Sequence, residues 1–288
     1  MPVGGWNVPS SLERVSGRVS HGTGDPNATT PRRARRSREE IRVLLLEAGI
    51  SILRAEGLGL VAESVTFKKV FDRVEERSGV RLTNASVIGR AWRNQAEFQT
   101  DVLAAIVLQG IEREIEVTID AVVPTLSETD LSTPEAREAT LRELCRLGGA
   151  ANRQAVRQSS NWPLWIGIWA MAADRGRLEP RQKITDALVS GSEAFDEQIE
   201  LAYSAMARLL GFRLREGFTL RQFAIAADCL GQGFGLRDRI DGSDMEQILR
   251  PTGPGGGLQE WTLFSIGFEG LVRQFFEIDP DWAPVGEG

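Results

Sequence analysis

The sequence predicts an all-α fold with a short N-terminal head and a larger helical body. Three observations carry this. Apolar residues recur at helical spacing through most of the 288 residues. Caps and helix breakers punctuate those runs. Sustained β-branched alternation, and hairpin dipeptides between apolar runs, are missing.

Residues 1–36 read as a disordered basic arm of Gly, Ser, Pro and Thr. Its run PRRARRSRE contains Arg35 and Arg36, which suit a minor groove or phosphates and equally suit a solubilising tail. The head spans residues 37–100. A first helix, about Arg38 to Glu56, sets Ile41, Leu44, Leu45, Ala48, Ile52 and Leu53 on one side and ends at Gly57. A second places Phe67, Val70, Phe71 and Val74 at i, i+3, i+4 and i+7. Ser64 or Thr66 caps its start, and Gly79, able to enter left-handed space, stops it. Thr83 then caps a third helix from Asn84 to about Trp92, with Ala85, Ile88 and Trp92 inward. Asn84, Ser86, Gly89, Arg90 and Arg93 are left outward or at its ends. Asn94-Gln95-Ala96-Glu97 has the form of a capping box, opening a long helix through Phe98, Val102, Ile106, Gln109 and Ile111.

Two short helices about a glycine turn, the second small, polar and basic outside, have the anatomy of a helix-turn-helix. The segments TFKKVFDRVEERSGV, LTNASVIGRAW and NQAEFQTDVLAAI resemble the N-terminal domain of the TetR family of transcriptional regulators. The resemblance covers about Ser37 to Ile106 and is only architectural beyond. It implies that the third helix reads the major groove and that the start of the second touches phosphates. Carried onto this sequence, it implies Thr83, Asn84, Ser86 and Arg90 toward bases, with Lys68, Lys69 and Arg93 on the DNA backbone. Thr66 and Trp92 complete the expected DNA-contacting set. The family usually has an aromatic followed by a basic residue or His late in the third helix. Here Ile88, Gly89 and Arg90 stand in that region, and Trp92 takes the place of the packing aromatic.

A glycine-linked helix pair also occurs as plain packing, and a lone Arg90 or Lys68 is ordinarily solvated surface. Charge favours the DNA reading. Residues 1–100 hold 16 Lys+Arg against 11 Asp+Glu, whereas residues 101–288 hold 18 against 29. Positive charge is thus gathered on the head of a chain whose net charge is −6, as phosphate neutralisation requires.

The body, residues 101–280, continues as helices before a tail at 281–288. Thr133-Pro134-Glu135 is a start signal, and Gly148-Gly149 is expected to break that helix. NWPLWIGIWAMAA, Asn161 to Ala173, forms an apolar segment. Glu179-Pro180 starts a long helix stopped by Gly211, and Thr219 caps one through about Leu236. A polar loop, Asp238 to Gly257, precedes a last helix from Leu258 to Glu277. Phe218, Leu220, Phe223, Ala227, Leu230 and Phe234, then Trp261, Phe264, Ile266, Phe268, Leu271 and Phe275, exceed what one side of a surface helix needs. Helices 219–236 and 258–277 are therefore expected to pair with a second copy, unless the monomer buries these faces itself. Trp162, Trp165 and Trp169 share one helical face. Opposite Phe195, Ile199, Tyr203 and Met206 they are candidates for a pocket taking a mostly apolar small molecule, or else plain core.

Composition excludes much. The single histidine, His21, lies in the arm, which nearly removes His-based catalysis and metal binding. Cys145 and Cys229 give neither a metal site nor a disulfide framework. No glycine-rich phosphate loop, signal-peptide core or membrane-length apolar run is present. No cofactor, metal or catalytic residue is expected. The expectation is a cytoplasmic, sequence-specific regulator of transcription that binds double-stranded DNA, a ligand-responsive repressor acting as a homodimer. Two alternatives stay open: a regulator whose body serves only a protein partner or dimerisation, and an all-α small-molecule binder with an incidental helix-turn-helix.

Overall fold

The protein is all-α but for two small ladders. The computed structural model describes residues 37–59, 61–110, 112–173, 181–242, 248–252 and 257–283, with backbone only at Ala62, Ala85, Ser86, Glu112, Arg113, Arg181, Ala194 and Phe195. From Arg38 onward the described residues belong to one compact unit. Arg35 and Arg36 lie outside the described residues.

The first helices follow their signals. α1 (Arg38–Glu56) ends where Gly57 takes φ 80°. A short α2 (Val61–Ser64) leads to α3 (Phe67–Ser78). Thr66, not Ser64, is the α3 cap: its hydroxyl accepts the Lys69 N–H at 3.3 Å, and Gly79 closes the helix at φ 63°. α5 (Gln95–Gln109) is capped by Asn94 and closed at Gly110.

The third helix departs from expectation. α4 covers only Asn84–Val87. Gly89 at φ 76° ends it, donating its N–H to the Trp92 carbonyl at 2.7 Å and folding Arg90 and Ala91 into a tight turn. The inward residue is Val87, fully buried, while Ile88 is 41% exposed.

The body contains α6 (Glu112–Glu128), α7 (Pro134–Gln158), α8 (Trp162–Ala173), α9 (Arg181–Leu209), α10 (Leu220–Ile240) and α11 (Leu263–Phe275). Gly148 and Gly149 do not break α7. They let α11 approach: a Cβ on Gly149 would lie 2.9 Å from Ser265 Cβ and 3.0 Å from its Cα. Close tertiary packing here offsets the roughly 1 kcal/mol helix penalty of each glycine. α10 runs four residues past Leu236, fixed at its start by a Thr219–Gln222 capping box.

Strands, unexpected from sequence, flank the last helix. β1 (Phe212–Leu214) pairs antiparallel with β4 (Phe276–Ile278), and β2 (Ile248–Pro251) with β3 (Leu258–Trp261). The segment expected as one helix from Leu258 to Glu277 is therefore strand, helix and strand. At three or four residues each, these strands are too short for alternation to register.

Two apolar cores result. The first joins α1, α3, α5 and α8 with Ile184, Ala187 and Leu188 of α9. The second joins α6, α7, α10 and α11 with Tyr203, Met206 and Ala207 of α9. Much of the face assigned to dimerisation is spent in the second core. Phe223, Ala227, Trp261 and Phe264 are all at least 92% buried within the monomer. α10 nevertheless keeps a bare stripe: Ile225, Cys229, Gly233, Leu236 and Ile240 are exposed and fall on one side at helical spacing.

Candidate nucleic-acid interface and internal cavity

The start of α3 and the α4 turn border one groove, to which Thr66, Lys68, Thr83, Asn84 and Arg93 contribute. The structure thus brings together five of the residues assigned to DNA. Phe67 N–H donates to Gln95 Oε1 at 3.2 Å, tying the start of α3 to that of α5. The groove also carries Asp72 and Glu75, so its charge is mixed; Arg81 pairs with Glu75 at 3.4 Å. Arg90 is exposed on the turn beyond α4, outside the groove lining. Lys69 turns to Glu56 at 3.1 Å, a half-exposed pair. The Ser86 side chain lies outside the described residues.

Trp92 is a correction. Only 2% exposed, its ring cannot reach a base. It packs edge-on against Phe98 at 4.8 Å, with the Arg42 guanidinium 4.6 Å from its ring centre. The capping box also shifts: Glu97 N–H donates to Asn94 Oδ1, but the Glu97 carboxylate accepts from the Arg93 N–H at 2.7 Å rather than from Asn94.

Sequence reasoning missed Asp101, the hub of this region. Its carboxylate accepts from Trp92 Nε1 at 3.0 Å, Arg42 Nη2 at 2.8 Å and Lys183 Nζ at 2.6 Å. Arg42 also donates to the Ala91 carbonyl. Four segments meet there: α1, the turn after α4, α5 and the start of α9. Burial works to raise the Asp101 pKa, but bonds from Lys183, Trp92 and Arg42 outweigh it, and the group titrates below its ordinary value. An acid one turn after Phe98 on a buried helix face was the available signal.

A cavity of about 190 Å³ opens within the second core, walled by α6, α7, α9, α10 and α11. Of the expected pocket residues, Trp162, Ile199, Tyr203 and Met206 line it. Trp165 and Trp169 do not; they meet edge-on at 5.7 Å, with Trp169 packed on the first core. The Phe195 side chain lies outside the described residues. Sequence reasoning missed Phe223, Phe264 and Phe268 as walls, along with Glu114 and Asp228. Tyr203 packs edge-on against Phe223 at 4.8 Å, and burial pushes its hydroxyl well above the ordinary tyrosine range. Burial, reinforced by Asp196, raises Asp228 to about 6.

Among the described residues no helix is long and apolar enough to cross a membrane, and no cluster of potential metal ligands occurs. No protein-family model and no curated protein matches the sequence. Four solved chains match it. One, from Saccharomonospora viridis, is described as a transcriptional regulator in complex with choline. It is 15% identical over 83% of this chain and 99% of its own, with a TM-score of 0.41.

Proposed function

We propose that this protein is a DNA-binding regulator of transcription related to the TetR family, a homodimeric repressor whose affinity for its operator is set by a small molecule in the internal cavity. The carrying observation is the capped α3–turn–α4 unit, with Lys68, Thr83, Asn84 and Arg93 around one groove and Arg90 beside it. Thr83, Asn84, Ser86 and Arg90 read bases in this account, and Lys68 and Arg93 hold phosphates. The bare α10 stripe supports the dimer, which would set two heads on successive major grooves. Cavity and head communicate along α9. This helix lines the cavity with Ile199, Tyr203 and Met206, and its start is bonded through Lys183 and Asp101 to the turn after α4.

The test is duplex binding against salt. A protein covering six or more phosphates loses on the order of a thousandfold in affinity between about 50 and 200 mM salt. Arg90→Ala should erase discrimination between operator and random duplex while leaving thermal stability unchanged. A variant that unfolds, or a wild-type protein that ignores duplexes at low salt, refutes the reading. Leu236→Glu, in the α10 stripe, should yield monomers in sedimentation.

A further inference from the structure

We propose that the internal cavity selects a small organic cation, an amine or quaternary ammonium with an apolar body. This rests on reading the cavity as the effector site and names the chemistry it takes. The argument begins with how the protein treats its other buried acids. Asp101 is held by Arg42 and Lys183, and Glu269 by Arg142, Arg250 and Arg273. Asp238 is held by Arg153 and Arg157. Each faces two or three cations, as a carboxylate removed from water requires.

The cavity acids are treated differently. Glu114 of α6 is 6% exposed, and no described side chain hydrogen-bonds or pairs with it. Asp228 of α10 has the neutral Gln232 amide at 2.5 Å. Among the described residues, no Lys, Arg or His lines the cavity. Asp196 adds a further negative charge near Asp228, and its partner Arg221, 3.8 Å away, is itself largely in water. Among the described residues, the cavity is therefore where a buried carboxylate, Glu114, and a half-buried one, Asp228, face one space without a counter-charge in its lining.

The remaining walls suit the same ligand. Tyr203, Phe223, Phe264 and Phe268 form a chain of rings with centres 4.8 to 6.0 Å apart. Ring faces carry the negative end of the aromatic quadrupole and attract cations, more so when desolvated. Carboxylates and π faces together reject an anion. A neutral hydrocarbon would fill the space but leave both acids further desolvated and unpaired.

Three benzyl ligands test this on the full-length protein: benzyltrimethylammonium, its uncharged carbon isostere neopentylbenzene, and the smaller anion phenylacetate. Binding is read by calorimetry and tryptophan fluorescence. The ammonium should bind at least about tenfold tighter than the isostere, and phenylacetate should not bind. Glu114→Gln and Asp228→Asn should each weaken the ammonium about tenfold and leave the isostere unchanged. Both variants remove a carboxylate that has no counter-charge in the cavity lining, so each should unfold at the same or a higher temperature. Ammonium affinity should fall as pH drops through about 6, where Asp228 takes a proton while Glu114, Asp196, Tyr203, Cys145 and Gln232 surround the site. Equal affinity for ammonium and isostere, preference for phenylacetate, or no binding of any of the three overturns the proposal. Salt-dependent DNA binding is measured separately: its loss with ammonium binding intact sinks the regulator reading, and the reverse sinks only the cation.

Discussion

Replacing Asp101 with asparagine probes the link between the start of α9 and the turn after α4. Asparagine keeps the volume and can still accept from Trp92 Nε1, but it cancels the charge facing Arg42 and Lys183. Lys183 is 56% exposed, so its pair counts as a surface one, about 0.2–1 kcal/mol. Arg42 is 25% exposed against a carboxylate at 7%, and a charge-assisted bond in that setting contributes about 1.5–3 kcal/mol before solvent screening. Together the loss near neutrality should be about 2–3 kcal/mol, lowering the melting temperature by roughly 5–10 °C. The pH dependence gives a sharper check. The folded-state pKa of Asp101 is depressed, so its contribution is present above the unfolded value of about 3.9 and fades as pH falls through the lower folded one. Urea unfolding of wild type and variant should therefore give curves well apart at neutral pH that converge under acid. Equal stability at neutral pH, or a gap that does not narrow in acid, would refute the assignment of Asp101 as an ionised hub.

Two other outcomes follow from packing. Gly149→Ala should destabilise by about 1–3 kcal/mol in urea titrations, because the new methyl meets the Ser265 backbone and α7 and α11 must separate. Gly148→Ala, whose nearest neighbour is a Val122 methyl at 3.3 Å, should cost less. In the Leu236→Glu variant, alkylation followed by mass spectrometry should label exposed Cys229 and spare Cys145, a buried thiol pushed up to about 12. Labelling of both at similar rates would mean the cavity wall opens readily.

Local signals in the sequence were sufficient where local physics decides the outcome. The Thr66 and Thr133 caps, Gly79 and the Thr219 cap all act within a few residues of themselves, whereas the stop at Gly110, read through to Ile111, was not anticipated. Features set by distant partners were not legible. Gly148-Gly149 reads as a break until α11 is laid against it. The tryptophans of α8 share a helical face, yet a face meets different neighbours along its length, so Trp162 reaches the cavity while Trp165 and Trp169 do not. Helical periodicity marked α10 and α11 as rich in apolar residues without saying which would be spent inside the monomer. The proposed base-facing set is tied to α4, whose shortness follows from Gly89, a residue visible in the sequence but read through.

Among the described residues, α9 is the helix with side chains in both cores. At 29 residues it is about 43 Å long and carries Ile184–Leu188 and Tyr203–Ala207 on one continuous helix. Under the proposed function, the walls around Tyr203 could therefore be rewritten for a new small molecule while the first core keeps its packing, provided the Ile184–Leu188 end is kept. If the proposed function holds, a hybrid joined within α9 should take its duplex preference from one parent and its ligand preference from the other.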